Sequence, residues 1–324
     1  MLLKKPEAFH GSRNKSPFFE GWYHKLTTKG NKSLALIPGI YHSGLSNNKT
    51  AFIMIFDGSN GKVYFEKYDS SDFKCSKTEY KLHIGPNYFS LDEIKLDINN
   101  NNFKLKGEVF SQNLKPWPVT LFEPGCMGWY AYIPTMECFH GILSMDHSLN
   151  GNLELNESLF DFSEGRGYIE KDWGRNFPEN WIWAQANHFE NNNASISASL
   201  ATIPWKKMTF AGFIVGFYYD NMFYRFTTYR NTIIKDIQFD SNTLRWQLER
   251  RDLFLDLTIE KGLKPGLLYA PDKNDMIPKV NEYLDGTIRC QLYQNNSKIF
   301  DDTSNSCATE FIGDTSKLIE MALK

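Results

Sequence analysis

The chain lacks most of the marks that sort a sequence into a common enzyme class. Five cysteines (Cys75, Cys126, Cys138, Cys290, Cys307) are scattered over 324 residues with no C-x-x-C pair. Neither a zinc site of that type nor a disulfide framework is indicated, and reduced thiols in a cytoplasmic protein are expected. No Gly-rich phosphate loop or dinucleotide fingerprint occurs, so no nucleotide cofactor is expected. The longest apolar run, Phe210 to Tyr219, is about half of what a membrane helix needs. The N-terminus, Met-Leu-Leu-Lys-Lys-Pro-Glu, breaks into charge at once and offers no signal-peptide apolar region. Charge of one sign is missing too. With 36 basic and 38 acidic residues the formal charge is −2, which gives no electrostatic case for nucleic acid or anionic lipid. A soluble protein without a transmembrane segment is expected.

Aromatic residues, by contrast, make up 15% of the chain. Six of the eight tryptophans lie between Trp117 and Trp205, which points to one aromatic-rich site rather than a uniformly aromatic core. The chain otherwise alternates strand and short polar turn. Ala51–Phe56 and Lys62–Tyr68 flank Asp57–Gly61, and Ile94–Ile98 and Phe103–Phe110 flank four asparagines. Cys138–Leu149 and Asn152–Leu155 meet at Asn150-Gly151, a two-residue hairpin signal. Trp181–Glu190 and Ala194–Ile203 flank Asn191–Asn193; Phe213–Tyr219 and Met222–Tyr229 flank Asp220-Asn221. Ile233–Phe239, Leu244–Arg251 and Leu253–Glu260 continue the series. Asparagine tolerates positive φ, which suits it to such turns. Successive hairpins without helices predict an antiparallel meander that removes its edges by closing into a barrel. One helix is expected, over Thr315–Leu323 behind Asp314 as N-cap, on a barrel flank.

The length suits two domains, each with its own core. The turn Gly174–Pro178 marks the expected boundary, giving domains 1–175 and 176–324. No Gly/Ser or Pro linker occurs there, so the domains should abut, with the segment Gly167–His188 straddling the join. That segment is the most informative in the chain. Read with period two, Trp181, Trp183, Gln185 and Asn187 share one face, and Ile182, Ala184, Ala186 and His188 the other. Aromatic walls with two neutral amides describe a pocket for a large apolar ligand with one polar end. They describe equally well a core strand with satisfied amides.

Glu170-Lys-Asp-Trp-Gly-Arg-Asn-Phe-Pro178, followed by Trp181-Ile-Trp-Ala-Gln-Ala-Asn-His-Phe189, resembles the signature of the tocopherol cyclase family. Phe19-Glu-Gly-Trp-Tyr-His-Lys25 is similar to that family's N-terminal motif. Met136-Glu-Cys-Phe-His-Gly141, continuing to Asp146–Gly151, resembles the intervening segment of bacterial members, and Ser306–Gly313 is a weaker match. The resemblance implies two consecutive lipocalin-like antiparallel β-barrels, related to carotenoid 1,2-hydratases, and a cofactor-free reaction. The plant enzymes close a chromanol ring on a prenylated quinol. This chain reads Lys-Asp-Trp-Gly where they tend to read Lys-Asn-Trp-Gly, so the substrate is left open.

Such chemistry protonates a prenyl double bond and stabilises the cation until an oxygen adds. It needs a proton donor in an apolar site, aromatic faces and exclusion of water. No metal or cofactor is required. Asp172 is the first candidate acid and shares a strand face with Glu170 and Tyr168; a salt-bridge network through Lys171 is the structural alternative. Glu20, alternating with Trp22 and His24, is a second candidate, or bonds a backbone bend. Trp22, Tyr23, His140, Trp173, Trp181, Trp183, Gln185 and Asn187 form the expected ligand-contact set. Glu137, His140 and His147 have ligand chemistry but opposite strand parity, so no metal site is assigned. Glu310 has only the weak C-terminal match behind it. Beside a structural or interaction protein with a closed core, two functions stay open: an isomerase or lyase acting on an isoprenoid-like molecule, and a carrier that binds one unchanged. Either would take an apolar small molecule as partner, with transient contact to a membrane surface as a route of uptake.

Overall fold

A computed structural model describes residues 5–11, 16–45, 48–191, 193–205, 208–272 and 275–324. Residues 1–4 of the N-terminal stretch and Asn192 of the expected Asn191–Asn193 turn lie outside them. The chain is all-β, with two antiparallel sheets and one α-helix among the described residues. No helix is long and apolar enough to cross a membrane. Two compact units emerge: Met1–Phe177 with Leu267–Lys279, and Pro178–Gly266 with Val280–Lys324.

The first unit contains β1 (Phe18–Thr27), β2 (Ser33–His42), β3 (Lys49–Asp57), β4 (Lys62–Asp69), β5 (Phe73–Cys75), β6 (Lys81–Ile84), β7 (Asn87–Ser90), β8 (Glu93–Asn99), β9 (Lys104–Gln112), β10 (Cys138–Leu155), β11 (Ser158–Asp161) and β12 (Gly165–Gly174). Their order is β4-β3-β2-β1-β12-β10-β9-β8-β7-β6-β5, with β11 on β10. The sheet curls until β3 meets β6, around an apolar interior that includes Trp22, Leu36, Ile53, Leu82, Leu105 and Ile169. In the Leu267–Lys279 arm, Tyr269 stacks on Phe65 with ring centroids 4.1 Å apart, and the Tyr41 hydroxyl donates to the Asp272 carbonyl.

The second unit contains β13 (Trp181–Ala186), β14 (Ala194–Trp205), β15 (Met208–Tyr219), β16 (Met222–Thr227), β17 (Ile233–Phe239), β18 (Thr243–Arg250), β19 (Leu253–Glu260), the parts of β20 (Pro265–Pro271) and β21 (Met276–Gln294) outside the arm, β22 (Ser297–Ile312) and the helix α1 (Thr315–Ala322). The order is β16-β15-β14-β13-β22-β21-β19-β18-β17, with β20 on β21. Here β16 meets β18 across the curl. Ile182, Ala184, Ala186, Val215, Trp246, Leu257 and Ile288 belong to its core. Each sheet thus rolls into a meander barrel, the lipocalin-like arrangement.

Asparagines make many of the turns. Asp220 and Asn221 both take positive φ (49° and 58°), as do Asn295 and Asn296 (50° and 62°), the twist a two-residue hairpin requires. One hairpin expectation is corrected. At Asn150-Gly151 the chain does not turn; β10 runs through to Leu155 and reverses after it, where Asn156 has φ 56°. Gly151 serves close approach instead: a Cβ there would lie 2.2 Å from the Glu108 carbonyl oxygen of β9. The two long strands β21 and β22 went unrecognised in the sequence, because their polar residues obscure the alternation. Two of their positions, Glu282 and Glu310, return below.

Candidate functional site

The central motif divides its side chains by strand parity. Along β12, Ile169 lies in the barrel core and Lys171 and Trp173 follow on that face, while Tyr168, Glu170 and Asp172 occupy the opposite one. The two faces carry different chemistry.

On the interior face, Lys171 meets Glu20 of β1 at 2.5 Å, and both side chains are fully buried. The ammonium also donates to the Pro6 carbonyl at 3.0 Å, to the Ala8 carbonyl and to His10 Nδ1 at 2.9 Å. It stands over the Trp22 and Trp173 rings, 4.6 and 4.8 Å from their centroids. Glu20 accepts from the backbone N–H groups of His10 and Gly11, and Trp22 Nε1 donates to the Glu7 carbonyl at 3.2 Å. Burial alone would raise the Glu20 carboxyl, but Lys171 and His10 outweigh it and hold it below the usual range. Burial draws the Lys171 ammonium down against the pull of Glu20. An ammonium that shares its three N–H bonds among four surrounding acceptors and a carboxylate with three donors form an ionised pair. Glu20 is therefore engaged as a carboxylate. The faces of Trp22 and Trp173, expected to meet a ligand, hold a lysine. His10, stacked on Trp173 at 4.3 Å, completes a cluster that pins residues 6–11 onto the barrel.

On the opposite face, register builds a second cluster. Asp172 lies directly between Gly21 of β1 and His140 of β10, and Glu170 between Tyr23 and Ile142. His140 Nδ1 is 3.0 Å from Asp172 Oδ1, and its Nε2 is 3.6 Å from Glu170 Oε2. The Tyr168 hydroxyl donates to Glu170 Oε2 at 2.5 Å. Glu170 is buried, and the Asp172 side chain keeps 24% exposure. Gly21 leaves space beside Asp172: the nearest atom to a Cβ built there is Ile37 Cγ2 at 3.6 Å. Cys138, whose thiol burial and then Asp172 push well up, lies 3.9 Å from Asp172 Oδ1. The Cys126 thiol donates to the His140 carbonyl at 3.2 Å.

His140, Glu170 and Asp172 offer ligand atoms within 4.8 Å of one another, close enough to surround a cation. The two ring nitrogens face different carboxylates, so the imidazole bridges Asp172 and Glu170. Nδ1 is within hydrogen-bond reach of Asp172, and Nε2 stands at ion-pair distance from Glu170. His147 is not part of this group. It pairs with Gly167, on the interior-facing parity of β12 and opposite to that of His140 and Asp172, and lies buried against Gly167, with Nδ1 3.1 Å from Ser144 Oγ. Glu137 lies outside the group as well.

The remaining candidates belong to the second unit. Ile182, Ala184 and Ala186 enter its core; Trp181, Trp183 and Gln185 lie on the other face of β13, with Trp183 and Gln185 buried. Asn187 follows the end of β13 and is buried as well. Trp181 Nε1 donates to Glu310 Oε2 at 2.5 Å. Trp183 is directly opposite Glu310, which is in turn opposite the buried Glu282 of β21. Sequence reasoning missed Glu282 altogether. It placed Glu170 and Asp172 on one strand face without joining His140 to them, since the β10–β12 register carries no local signal.

The profile of the tocopherol cyclase-like family matches residues 110–313. A probable chloroplastic tocopherol cyclase of Oryza sativa subsp. japonica is 27% identical over 208 residues, covering 60% of this chain and 44% of the rice protein. The chain thus spans less than half of that relative. A chloroplastic tocopherol cyclase of Zea mays is 26% identical, with 96% of this chain and 78% of the maize protein covered. Among solved structures, kievitone hydratase of Nectria haematococca aligns with a TM-score of 0.48 at 11% identity, over 96% of this chain and 95% of that one.

Proposed function

The chain belongs to the tocopherol cyclase-like family, and on that premise we propose that it is a cyclase- or hydratase-like enzyme that protonates a prenyl-type double bond. The substrate is an apolar, prenylated molecule such as a quinol. The single observation that carries this reading is the convergence of Asp172 and Glu170 on the two nitrogens of His140. Addition of an oxygen to an alkene consumes a proton at carbon and releases one from the attacking hydroxyl, so an acid and a base must be reset in each turnover. Asp172, the more open carboxyl beside Gly21, gives its proton to the alkene carbon. The tertiary cation is captured by the substrate's own hydroxyl in a cyclisation, or by water in a hydration. Glu170, oriented by Tyr168, takes the proton released from that oxygen. His140 receives it at Nε2 once the two atoms close from 3.6 Å to hydrogen-bond distance, returns a proton from Nδ1 to Asp172, and regains its starting tautomer by exchanging the Nε2 proton for one at Nδ1 through solvent. Atoms and charge balance without a redox partner.

Native mass spectrometry of the purified protein supplies the co-purifying apolar molecule, and turnover is then measured on it. Asp172→Asn keeps the shape and removes the transferable proton, so kcat should fall by roughly 10²–10⁴ with little change in ligand affinity. Turnover of the Asn variant at the wild-type rate would clear Asp172 of the acid role. Binding with no turnover by any variant or by the wild type would leave a carrier.

A further inference from the structure

The 25 residues between β9 and β10, 113–137, are long for a barrel connection. Their composition is unusual as well: from Trp117 to Met136 the only charged side chain is Glu123. The segment first runs outward as a small finger. Val119 and Pro124 pair as an isolated antiparallel bridge. Thr120 N donates to the Glu123 carbonyl at 2.9 Å, and Glu123 N donates back to Thr120 Oγ1 at 3.0 Å. A turn fixed from both sides leaves Leu121 and Phe122 at its apex, and they are 58% and 79% exposed. The Tyr132 hydroxyl donates to the Leu121 carbonyl and braces the finger from its return leg. Val119 and Trp129, 40% and 44% exposed, extend the apolar surface. Between the Val119–Pro124 bridge and Trp129, the return leg lies against the candidate site: the His140 N–H meets Met127 Sδ at 3.1 Å, and the Cys126 thiol bonds the His140 carbonyl.

We propose that this finger inserts Leu121 and Phe122 into the surface of an uncharged lipid bilayer. A protein partner is normally held by a polar rim around an apolar centre, whereas Glu123 is the only charged side chain from Trp117 to Met136. An anionic headgroup layer is recognised through clustered Lys or Arg, and none occurs from Trp117 to Met136. What matches an apex of two large apolar side chains, flanked by a tryptophan and two tyrosines but by no positive charge, is the interfacial zone of a zwitterionic membrane. The role in substrate delivery rests on the function proposed above: a prenylated molecule resides in the bilayer, and the finger's return leg leads to His140. The docking itself does not depend on that function.

Vesicles of dioleoylphosphatidylcholine test it by co-sedimentation. The wild-type protein should partition onto them, with little change when salt is raised from about 0.1 to 1 M, because an uncharged contact is not screened. Phe122→Asp, alone or with Leu121→Asp, should reduce the partition coefficient by roughly tenfold or more, the scale of withdrawing one or two large apolar side chains. Leu263→Asp, at an exposed leucine of the other unit, should leave it unchanged, and so should Asp172→Asn. Equal partition of wild type and Phe122→Asp would overturn the proposal. Binding confined to phosphatidylglycerol vesicles and abolished by salt would also overturn it. So would a wild-type dimer in vesicle-free sedimentation that Phe122→Asp converts to monomer, which would make the occupant a second copy of this chain. Turnover of detergent-dispersed substrate separates the two readings: it should survive Phe122→Asp and be lost in Asp172→Asn.

Discussion

Lys171 shows how neighbouring residues of one motif divide their work. Its side chain enters the barrel and its neighbours Glu170 and Asp172 leave it, so the residue that threatened to neutralise Asp172 is spent on Glu20 instead. Removing one member of a buried pair strands the other. Lys171→Met should therefore destabilise the first unit by about 3–5 kcal/mol in urea unfolding, and adding Glu20→Gln should recover a substantial part of the loss. A double variant as unstable as the single one would show that the lysine matters for packing against Trp22 and Trp173 rather than for charge. Parity along β12 and β1 was legible in the sequence. The partners were not, because Glu20 and Lys171 are 151 positions apart and only the β1–β12 register sets them side by side. The same limit hid the Glu282–Glu310 neighbours.

At the scale of elements, the C-terminal helix was legible from its cap. Asp314 accepts from Lys317 N at 2.9 Å, and the helix starts at the expected Thr315. The flank expected for its packing understates the contact, since Leu318 is fully buried as a member of the second unit's core. Leu318→Ala should cost about 2–5 kcal/mol by leaving a cavity, and Asp314→Ala about 1 kcal/mol by freeing a helix N–H. Equilibrium unfolding distinguishes the two. Equal small losses would mean that the helix rests on the barrel without sealing it. The hairpin expected at Asn150-Gly151 failed because Gly151 lies within β10 and serves its approach to β9. A glycine that lets backbones approach and a glycine that turns the chain look alike until the opposing strand is known.

Across the whole molecule, the architecture of two antiparallel meanders followed from turn spacing and strand period. The return of Leu267–Lys279 to the first unit did not, because nothing local distinguishes an arm from a hairpin. The first unit also concentrates buried titratable groups, and they set its response to acid. Burial pulls His24, bonded to the Tyr80 hydroxyl at 2.7 Å, down to about 3 from 6.5, with His147 adding to the effect. Burial and then Arg166 do the same to His147, also to about 3. Both imidazoles stay neutral in the folded chain while the unfolded chain takes up protons below pH 6.5. The unfolded state then binds more protons, and stability falls as pH drops through the window from about 6.5 to 3. The Glu20 carboxylate, held low, adds its own loss below about 4.5. Each histidine contributes a slope approaching about 1.4 kcal/mol per pH unit well inside that window. Urea unfolding between pH 7 and 4.5, followed by tryptophan fluorescence, should show the wild type losing stability along the combined slope. His147→Asn should lower the starting stability yet flatten the line by about one histidine's share. An unchanged slope in that variant would mean that His147 is already protonated in the folded barrel, and that burial there is less complete than the geometry requires.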